Sequence, residues 1–172
     1  EQASTKRRES SPARTPPTTT TTTRHDFSWR DFEVYRTLGT GSYGRVMLAK
    51  DTRDHQHYAV KRLKKADIVR LKQVEHTNNE RELLERVSGS PFVVHLVASF
   101  QDCRYLYLVM EYVSGGELFG LLRRVRTLPA FIAQFYAAQV VLVLEHLHNL
   151  HIIYRDLKPE NVLIGPCGNL KL

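Results

Sequence analysis

YRDLKPEN, residues 154–161, puts an arginine, an aspartate, a lysine and an asparagine into one short loop at the end of a long apolar segment. Each side chain has its own chemical capacity. Asp156 can orient a hydroxyl nucleophile or accept its proton. Lys158 can neutralise charge on a phosphoryl group in transfer, and Asn161 can offer an amide oxygen to a metal ion. Pro159 stiffens the turn that carries them. A charged loop with no task is the plain alternative, but such a loop has little reason to keep this order of groups. The octapeptide's meaning therefore depends on what the rest of the chain offers as a partner.

GTGSYG (39–44) is one candidate, with Gly39, Gly41 and Gly44 in a G-x-G-x-x-G spacing. Glycines let backbone N–H groups reach phosphate oxygens with no Cβ in the way. The spacing alone is weak, and a plain glycine hairpin satisfies it as well. Context removes two common phosphate loops. A dinucleotide-binding unit would follow the glycines with a helix and place an acidic residue about twenty positions on. Here a strand-like run follows, RVMLAK (45–50), and the later region is basic at Lys64 and Lys65. A Walker A loop needs Lys then Ser or Thr after the last glycine, where this chain has Arg45 and Val46. A glycine-rich hairpin folded over a nucleotide remains, beside the plain hairpin.

AVK (59–61) lies in the next strand-like run. Ala59 and Lys61 are two apart and share a face, which would set a small residue against a flat base while the ammonium reaches phosphate. A lone lysine on a solvated strand would need no such account. Lys61 has a candidate partner, however. Residues 73–87, QVEHTNNERELLERV, have helical period, with Glu80, Leu83, Leu84 and Val87 on one face. A carboxylate on an apolar face needs a partner, and Glu80 is placed to pair with Lys61.

The rest of the chain frames these groups. Its 172 residues are 42% hydrophobic and 25% charged, enough for about one domain's core. The net charge of +7 divides into +2 over residues 1–26 and +5 over the remainder. A moderate basic excess favours anionic partners without choosing among them. Cys103 and Cys167 form no C-x-x-C pair, so neither a zinc site nor a disulfide framework is indicated, and a reducing, intracellular setting is expected. His55 and His57, or His146, His148 and His151, lack the carboxylate or thiol that would complete a metal site. The polar N-terminus carries no secretory signal, and the chain opens on Glu1 rather than methionine, which need not be a natural start.

Residues 1–26 offer only Ala3 and Ala13 as non-proline apolar residues and include a threonine run, Thr18–Thr23. This composition predicts a disordered tail. From Phe27 onward FEVYRTL (32–38), RVMLAK (45–50) and HYAVKR (57–62) read as three antiparallel strands, and VVHLVASF (93–100) and YLYLVMEY (105–112) as two more. After GGE (115–117) the pattern is helical, ending in an apolar helix from about Pro129 to Asn149. Its charge-free part, Leu128 to Leu144, is interrupted by Pro129, Gln134 and Gln139, so a buried helix is expected rather than a membrane span.

Taken together, G-x-G-x-x-G-x-V (39–46), A-V-K (59–61), Glu80 and Y-R-D-L-K-P-E-N (154–161), in this order, resemble the protein-kinase signature set. Tyr154 in place of the usual histidine, with LKQVEHTNNE (71–80), MEYVSGGELF (110–119) and FYAAQVVLVLEHLH (135–148), resembles the AGC group of Ser/Thr kinases, and within it the cAMP-dependent kinases. The likeness runs from about Phe32 to Leu172. It implies an α+β bilobal fold, incomplete here: a disordered tail over 1–26, a five-stranded antiparallel small lobe with its regulatory helix and interlobe linker over 27–113, and the start of a mainly helical large lobe over 114–172.

The resemblance also implies roles. Gly39, Gly41 and Gly44 would cover the phosphates of ATP, and Lys61, held by Glu80, would contact the α and β groups. Val46, Ala59 and Leu163 would sandwich adenine, Glu111 and Val113 would offer it backbone hydrogen bonds, and Met110 would stand as gatekeeper. Asp156 would be the catalytic base, Lys158 the γ-phosphate contact and Asn161 a ligand of Mg2+. Glu117, beside the nucleotide, and Glu160 match positions that receive substrate arginines, which implies protein substrates with arginine near Ser or Thr. Leu84, Leu96 and Tyr154 would be three of four stacked residues that align the active state. The family continues into a D-F-G segment, due where this sequence ends at NLKL (169–172), so the chain is expected to be an N-terminal kinase fragment, not competent on its own.

A nucleotide- or partner-binding, non-catalytic module is the alternative. Nucleic acid is not an expected partner, since the basic run Lys61–Lys72 reads as a solvated surface, and neither is a membrane. A cAMP-binding regulatory subunit stays open as a partner. The expected location is the cytoplasm, with the nucleus left open. RRES (7–10) has the pattern that basic-directed kinases accept, so Ser10 is a candidate for phosphorylation.

Overall fold

The computed structural model of the chain describes residues 27–41 and 44–172. The expected tail over 1–26, with Ser10 in it, lies outside the described residues, as do Ser42 and Tyr43 of the glycine turn. Alternating β-branched and aromatic residues form a five-stranded antiparallel sheet: β1 (Phe32–Gly41), β2 (Gly44–Asp51), β3 (His57–Lys64), β4 (Leu96–Gln101) and β5 (Tyr105–Glu111). The strands lie in the order β1-β2-β3-β5-β4. Register sets the two faces. Met47 pairs with Val60 and Val60 with Val109 on one face, while Leu48 pairs with Ala59 and Ala59 with Met110 on the other.

The first face carries an aromatic core. Phe32, Ala49, Val60, Tyr107 and Val109 are buried there, with Phe27, Trp29 and Phe100 packed against them. Tyr107 stacks on Phe100 at 4.6 Å and on Trp29 at 5.1 Å between centroids. Arg62 lies over both Trp29 and Tyr105, so even the charged residue on this face is used to cover rings. With one face sealed by aromatics, the other is left to build a site.

Two helices follow β3. The short α1 (Lys65–Arg70) was not legible in the basic run, yet it buries Ile68 to 3% exposure. Its turn ends at Lys72, φ +54°, where Gln73 N–H bonds back to the Ile68 carbonyl at 2.8 Å. α2 (Val74–Val87) is the helix anticipated over 73–87. The strand expected over 93–100 begins only at Leu96. The backbone of Val94 instead donates to the Leu172 carbonyl at 2.9 Å, so that segment serves a different partner.

Past β5 the linker leads to α3 (Leu118–Val125), α4 (Ala130–Asn149) and a small hairpin, β6 (Leu163–Ile164) with β7 (Leu170–Lys171). The expectation of a buried α4 is corrected. Gln139, Val143 and Leu147 are buried, but Phe131 is 68% and Val141 65% exposed. Only one stripe finds neighbours among the described residues. Gln139 accepts from Leu170 N–H at 2.6 Å, and Val143 and Leu147 pack with Val87 and Val93. This second core ties the ends of α2 and α4 together beneath the sheet's open face.

The end of α4 aims the octapeptide. His151 has φ +59°, and Ile152 N–H bonds to the Leu147 carbonyl at 2.9 Å, a left-handed cap with Ile152 packed on the same cluster as Leu147. The chain leaves this cap directly into Tyr154.

Candidate nucleotide site

A cavity of about 1140 Å³ opens between the sheet's second face and the β6–β7 hairpin. Val46 and Ala59 form one wall and Leu163 lies in the other, with Met110, Glu111 and Val113 along the linker. Gly39, Glu80 and Glu117 also line it. The cavity is an apolar slot rimmed by a few polar groups, a shape suited to a flat heterocycle.

Local sequence explains the walls. β1 carries a bulge between its Thr37–Met47 and Gly39–Val46 pairings, and the unpaired Leu38 lines the cavity beside Gly39. Gly44 is required by proximity: a Cβ there would come within 2.3 Å of the Arg62 carbonyl oxygen. Gly115 is under the same constraint, since a Cβ there would come within 2.2 Å of the Ile164 carbonyl oxygen, which the Gly115 N–H bonds at 3.0 Å. The linker is thereby held against β6. Gly39 and Gly41 would have nothing within 4 Å of a Cβ, which leaves clear space above the slot.

Lys61 Nζ donates to Glu80 Oε1 at 2.5 Å, joining β3 to α2. The pair is part-exposed, 29% and 41% by side chain, so its value is direction rather than stability. Glu80 faces the cavity from the same side of α2 as Leu83, Leu84 and Val87.

The octapeptide is built by backbone as much as by side chains. Arg155 has φ +61°, and Asp156 N–H bonds to the Tyr154 carbonyl at 2.8 Å, a three-residue turn of the rare positive-φ kind. Such a conformation costs about 1–3 kcal/mol and persists only where the surroundings impose it. Asn161 Nδ2 imposes it from the far end, donating to the Asp156 carbonyl at 2.9 Å and to its Oδ2 at 2.7 Å. Lys158 Nζ donates to Asp156 Oδ1 at 2.9 Å. Asp156, Lys158 and Asn161 are therefore one bonded cluster.

The Lys158 ammonium, and after it the Asn161 amide, hold the Asp156 carboxyl below the usual carboxylate range. Asp156 is thus a carboxylate at neutral pH, and any stabilisation it gives fades as pH falls through that lowered value. Burial, then the Asp156 charge, pushes the Tyr154 hydroxyl up. Lys158→Met should raise the Asp156 pKa back toward the ordinary carboxylate value, read by carboxyl NMR titration. An unmoved titration would show that Lys158 does not govern the charge of Asp156.

The cluster is not in the cavity wall. Asp156, Lys158, Asn161 and Glu160 lie beyond the lining residues, as do Gly41, Gly44 and Lys61, whereas Tyr154 and Arg155 do line it. Glu160 sits in the 3-10 turn Pro159–Asn161, next to the start of α3, which Glu117 precedes as N-cap. Leu84 joins Tyr154 in the cavity wall, while Leu96 is buried at the start of β4. Leu38 was missed by sequence reading because the bulge breaks the period-two pattern. Lys171, whose ammonium bonds the Glu111 carboxylate, was missed because nothing in its neighbourhood marks it.

Residues 32–172 match the protein kinase domain family. The chain belongs to that family. The kinase domain accounts for α4, which by length and composition alone is long and apolar enough to cross a membrane but lies inside the matched residues. Among curated relatives, the cAMP-dependent protein kinase catalytic subunit of Arthrobotrys oligospora is 53% identical over 146 residues, 85% of this chain and 28% of that protein. The cAMP-dependent protein kinase type 3 of Saccharomyces cerevisiae is 52% identical over 146 residues, 85% of this chain and 36% of that protein. The cAMP-dependent protein kinase catalytic subunit of Schizosaccharomyces pombe is 49% identical over 143 residues, 83% of this chain and 28% of that protein. The chain spans about a third or less of the length of these relatives. Its five-stranded sheet with α2, followed by α3 and α4, is the kinase small lobe and the start of the large one.

Proposed function

We propose that this kinase domain binds ATP in the slot between β2–β3 and β6, and that it belongs to an enzyme transferring the γ-phosphoryl group to Ser or Thr in arginine-rich protein substrates. The observation that carries the reading is the Lys61–Glu80 pair set beside an apolar slot, with the Asp156–Lys158–Asn161 cluster beyond it. On this reading residues 27–113 are small lobe and linker, and 114–172 the beginning of the large lobe. Val46, Ala59 and Leu163 hold adenine, the Glu111 and Val113 backbones bond its edge, and Met110 limits the depth of the slot. Gly39, Gly41 and Gly44 cover the phosphates.

In the transfer, a substrate hydroxyl oxygen forms a bond to the γ-phosphorus as the β–γ bridging P–O bond breaks, and ADP departs with that electron pair. Asp156 orients the hydroxyl and receives its proton, while Lys158 offsets charge on the transferred group. Mg2+ bound with the nucleotide supplies further charge neutralisation. Asn161 fits it as one ligand, because its Nδ2 is committed to Asp156 and its Oδ1 remains an acceptor. Glu117 and Glu160 receive substrate arginines. A cAMP-binding regulatory subunit and a cytoplasmic setting, with the nucleus open, go with this reading.

A second reading, nucleotide binding without transfer, is favoured by one observation. The carboxylate, ammonium and amide that would act on the transferred group are bonded to one another, outside the residues that line the slot. We therefore expect this chain by itself to bind MgATP but to transfer little phosphate to an Arg-Arg-x-Ser peptide. Titration with MgATP, followed by a transfer assay, tests both halves. Transfer abolished by Asp156→Asn would overturn the non-catalytic half, and no MgATP binding by the folded chain would overturn the nucleotide site.

A further inference from the structure

Glu111, the last residue of β5, uses its side chain as a junction. Its Oε1 accepts from the His95 N–H at 2.8 Å and from the Lys171 ammonium at 2.5 Å. Its own N–H donates to the His95 carbonyl at 3.0 Å. The His95 ring in turn bonds Ser88 at the end of α2, Oγ to Nδ1 at 2.5 Å. Lys171 is the register partner of Leu163 in the β6–β7 hairpin, and Leu163 lies in the slot wall that faces Val46 and Ala59. Among the described residues, Lys171–Glu111 is the one ion pair joining the chain up to Glu111 with the chain after it.

These bonds close a ring. From Glu111 the linker runs to Gly115 and Gly116, which bond Ile164 of β6 through its carbonyl at 3.0 Å and its N–H at 2.9 Å. β6 pairs with β7, and Lys171 returns to Glu111. The linker runs along the slot's edge between the Val46–Ala59 wall and Leu163, so the ring's closure fixes where Leu163 stands relative to the end of β5. Side-chain exposures of 21% for Lys171 and 30% for Glu111 make the pair shielded enough to hold position, yet too exposed to dominate global stability.

We propose that Lys171 is a positioning residue whose ion pair with Glu111 fixes β6, which carries one wall of the base slot, against the end of β5 and the linker at the slot's edge. The proposal rests on the nucleotide-site reading for its consequence in affinity, and on the ring alone for its consequence in linker motion. Lys171→Met opens the ring at its only ionic closure. Lys171→Arg keeps the charge and restores it, and Glu111→Gln removes the same pair from the other side while leaving an acceptor for His95.

The test uses the whole chain with two readouts. In hydrogen exchange, Lys171→Met should speed exchange at the Gly115 and Ile164 amides by about three- to fivefold, the scale a part-exposed ion pair supports, while the Val60 and Val109 amides stay unchanged. ATP affinity should fall by a similar factor in Lys171→Met and Glu111→Gln, no further in the double variant, and return in Lys171→Arg. Unchanged exchange at Gly115 and Ile164 would overturn the tether. Additive losses of affinity, or no rescue by arginine, would overturn the role of the ion pair in the slot. If the wild-type chain bound no ATP, the nucleotide reading would fall and the exchange comparison would decide the tether for or against.

Discussion

Lys61→Met should weaken ATP binding by roughly 10- to 100-fold, because a hydrogen bond to a charged group contributes about 1.5–3 kcal/mol and each 1.4 kcal/mol is tenfold. Lys61 extends from the centre of β3, between Val46 and Leu108 in register, toward Glu80. Methionine keeps the length of the stem and its packing against the strand while removing the ammonium. The fold should survive, since the lost pair with Glu80 is part-exposed and such pairs contribute about 0–1 kcal/mol. Glu80→Gln should do less, because Lys61 remains and only its direction is loosened. Calorimetric titration with ATP, beside a thermal melt of each variant, reads both quantities. Equal affinity for ATP in Lys61→Met and wild type would show that the phosphates do not lie against β3.

That pair was readable in the sequence because its two halves obey different periods. Ala59 and Lys61 alternate at two, whereas Glu80 recurs with Leu83, Leu84 and Val87 at helical spacing, and a carboxylate on an apolar stripe calls for a cation. The five strands and α2 were legible for the same reason. β4 began late because periodicity cannot tell that Val94 will bond Leu172 rather than a neighbouring strand. α1 escaped notice because one buried residue, Ile68, is too short a pattern to register within a basic run. Burial of α4 was overestimated for a different reason. Apolar composition states what a surface prefers, not whether a partner covers it, and here the described residues cover one stripe only. The octapeptide's order of residues suggested chemistry, but its geometry was beyond reading. Nothing in YRDLKPEN announces that Arg155 takes φ +61° or that Asn161 bonds Asp156 twice. Lys171 was silent altogether, as a lysine whose partner lies 60 residues away.

Tyr107→Ala should destabilise the chain by about 3–5 kcal/mol, the range for removing a large buried aromatic, which is a large share of the 5–15 kcal/mol typical of a domain. Tyr107 is 1% exposed and stacks on Phe100 and Trp29, so its loss opens a void in the aromatic core on the sealed face of the sheet. ATP binding should fall with it, since the same sheet forms the slot on its other side. Tyr107→Phe separates the hydroxyl from the ring. The hydroxyl donates to Asp102 Oδ2 at 2.7 Å, while Asp102 Oδ1 caps the β4–β5 turn through the Arg104 and Tyr105 N–H groups at 2.7 and 2.6 Å. Removing one such bond costs about 1 kcal/mol. This smaller effect carries a pH signature. The Tyr107 hydroxyl, and after it the backbone donors, hold the Asp102 carboxyl below its ordinary value, so the stabilisation is present at neutral pH and lost as pH falls through that value. Burial pushes the Tyr107 hydroxyl upward, so its contribution is intact below the free tyrosine pKa of about 10 and fades only above it. Melting temperatures of wild type and Tyr107→Phe should therefore differ most between these limits and converge in acid. A difference that persisted undiminished in acid would assign the effect to packing around the ring, not to the carboxylate it reaches.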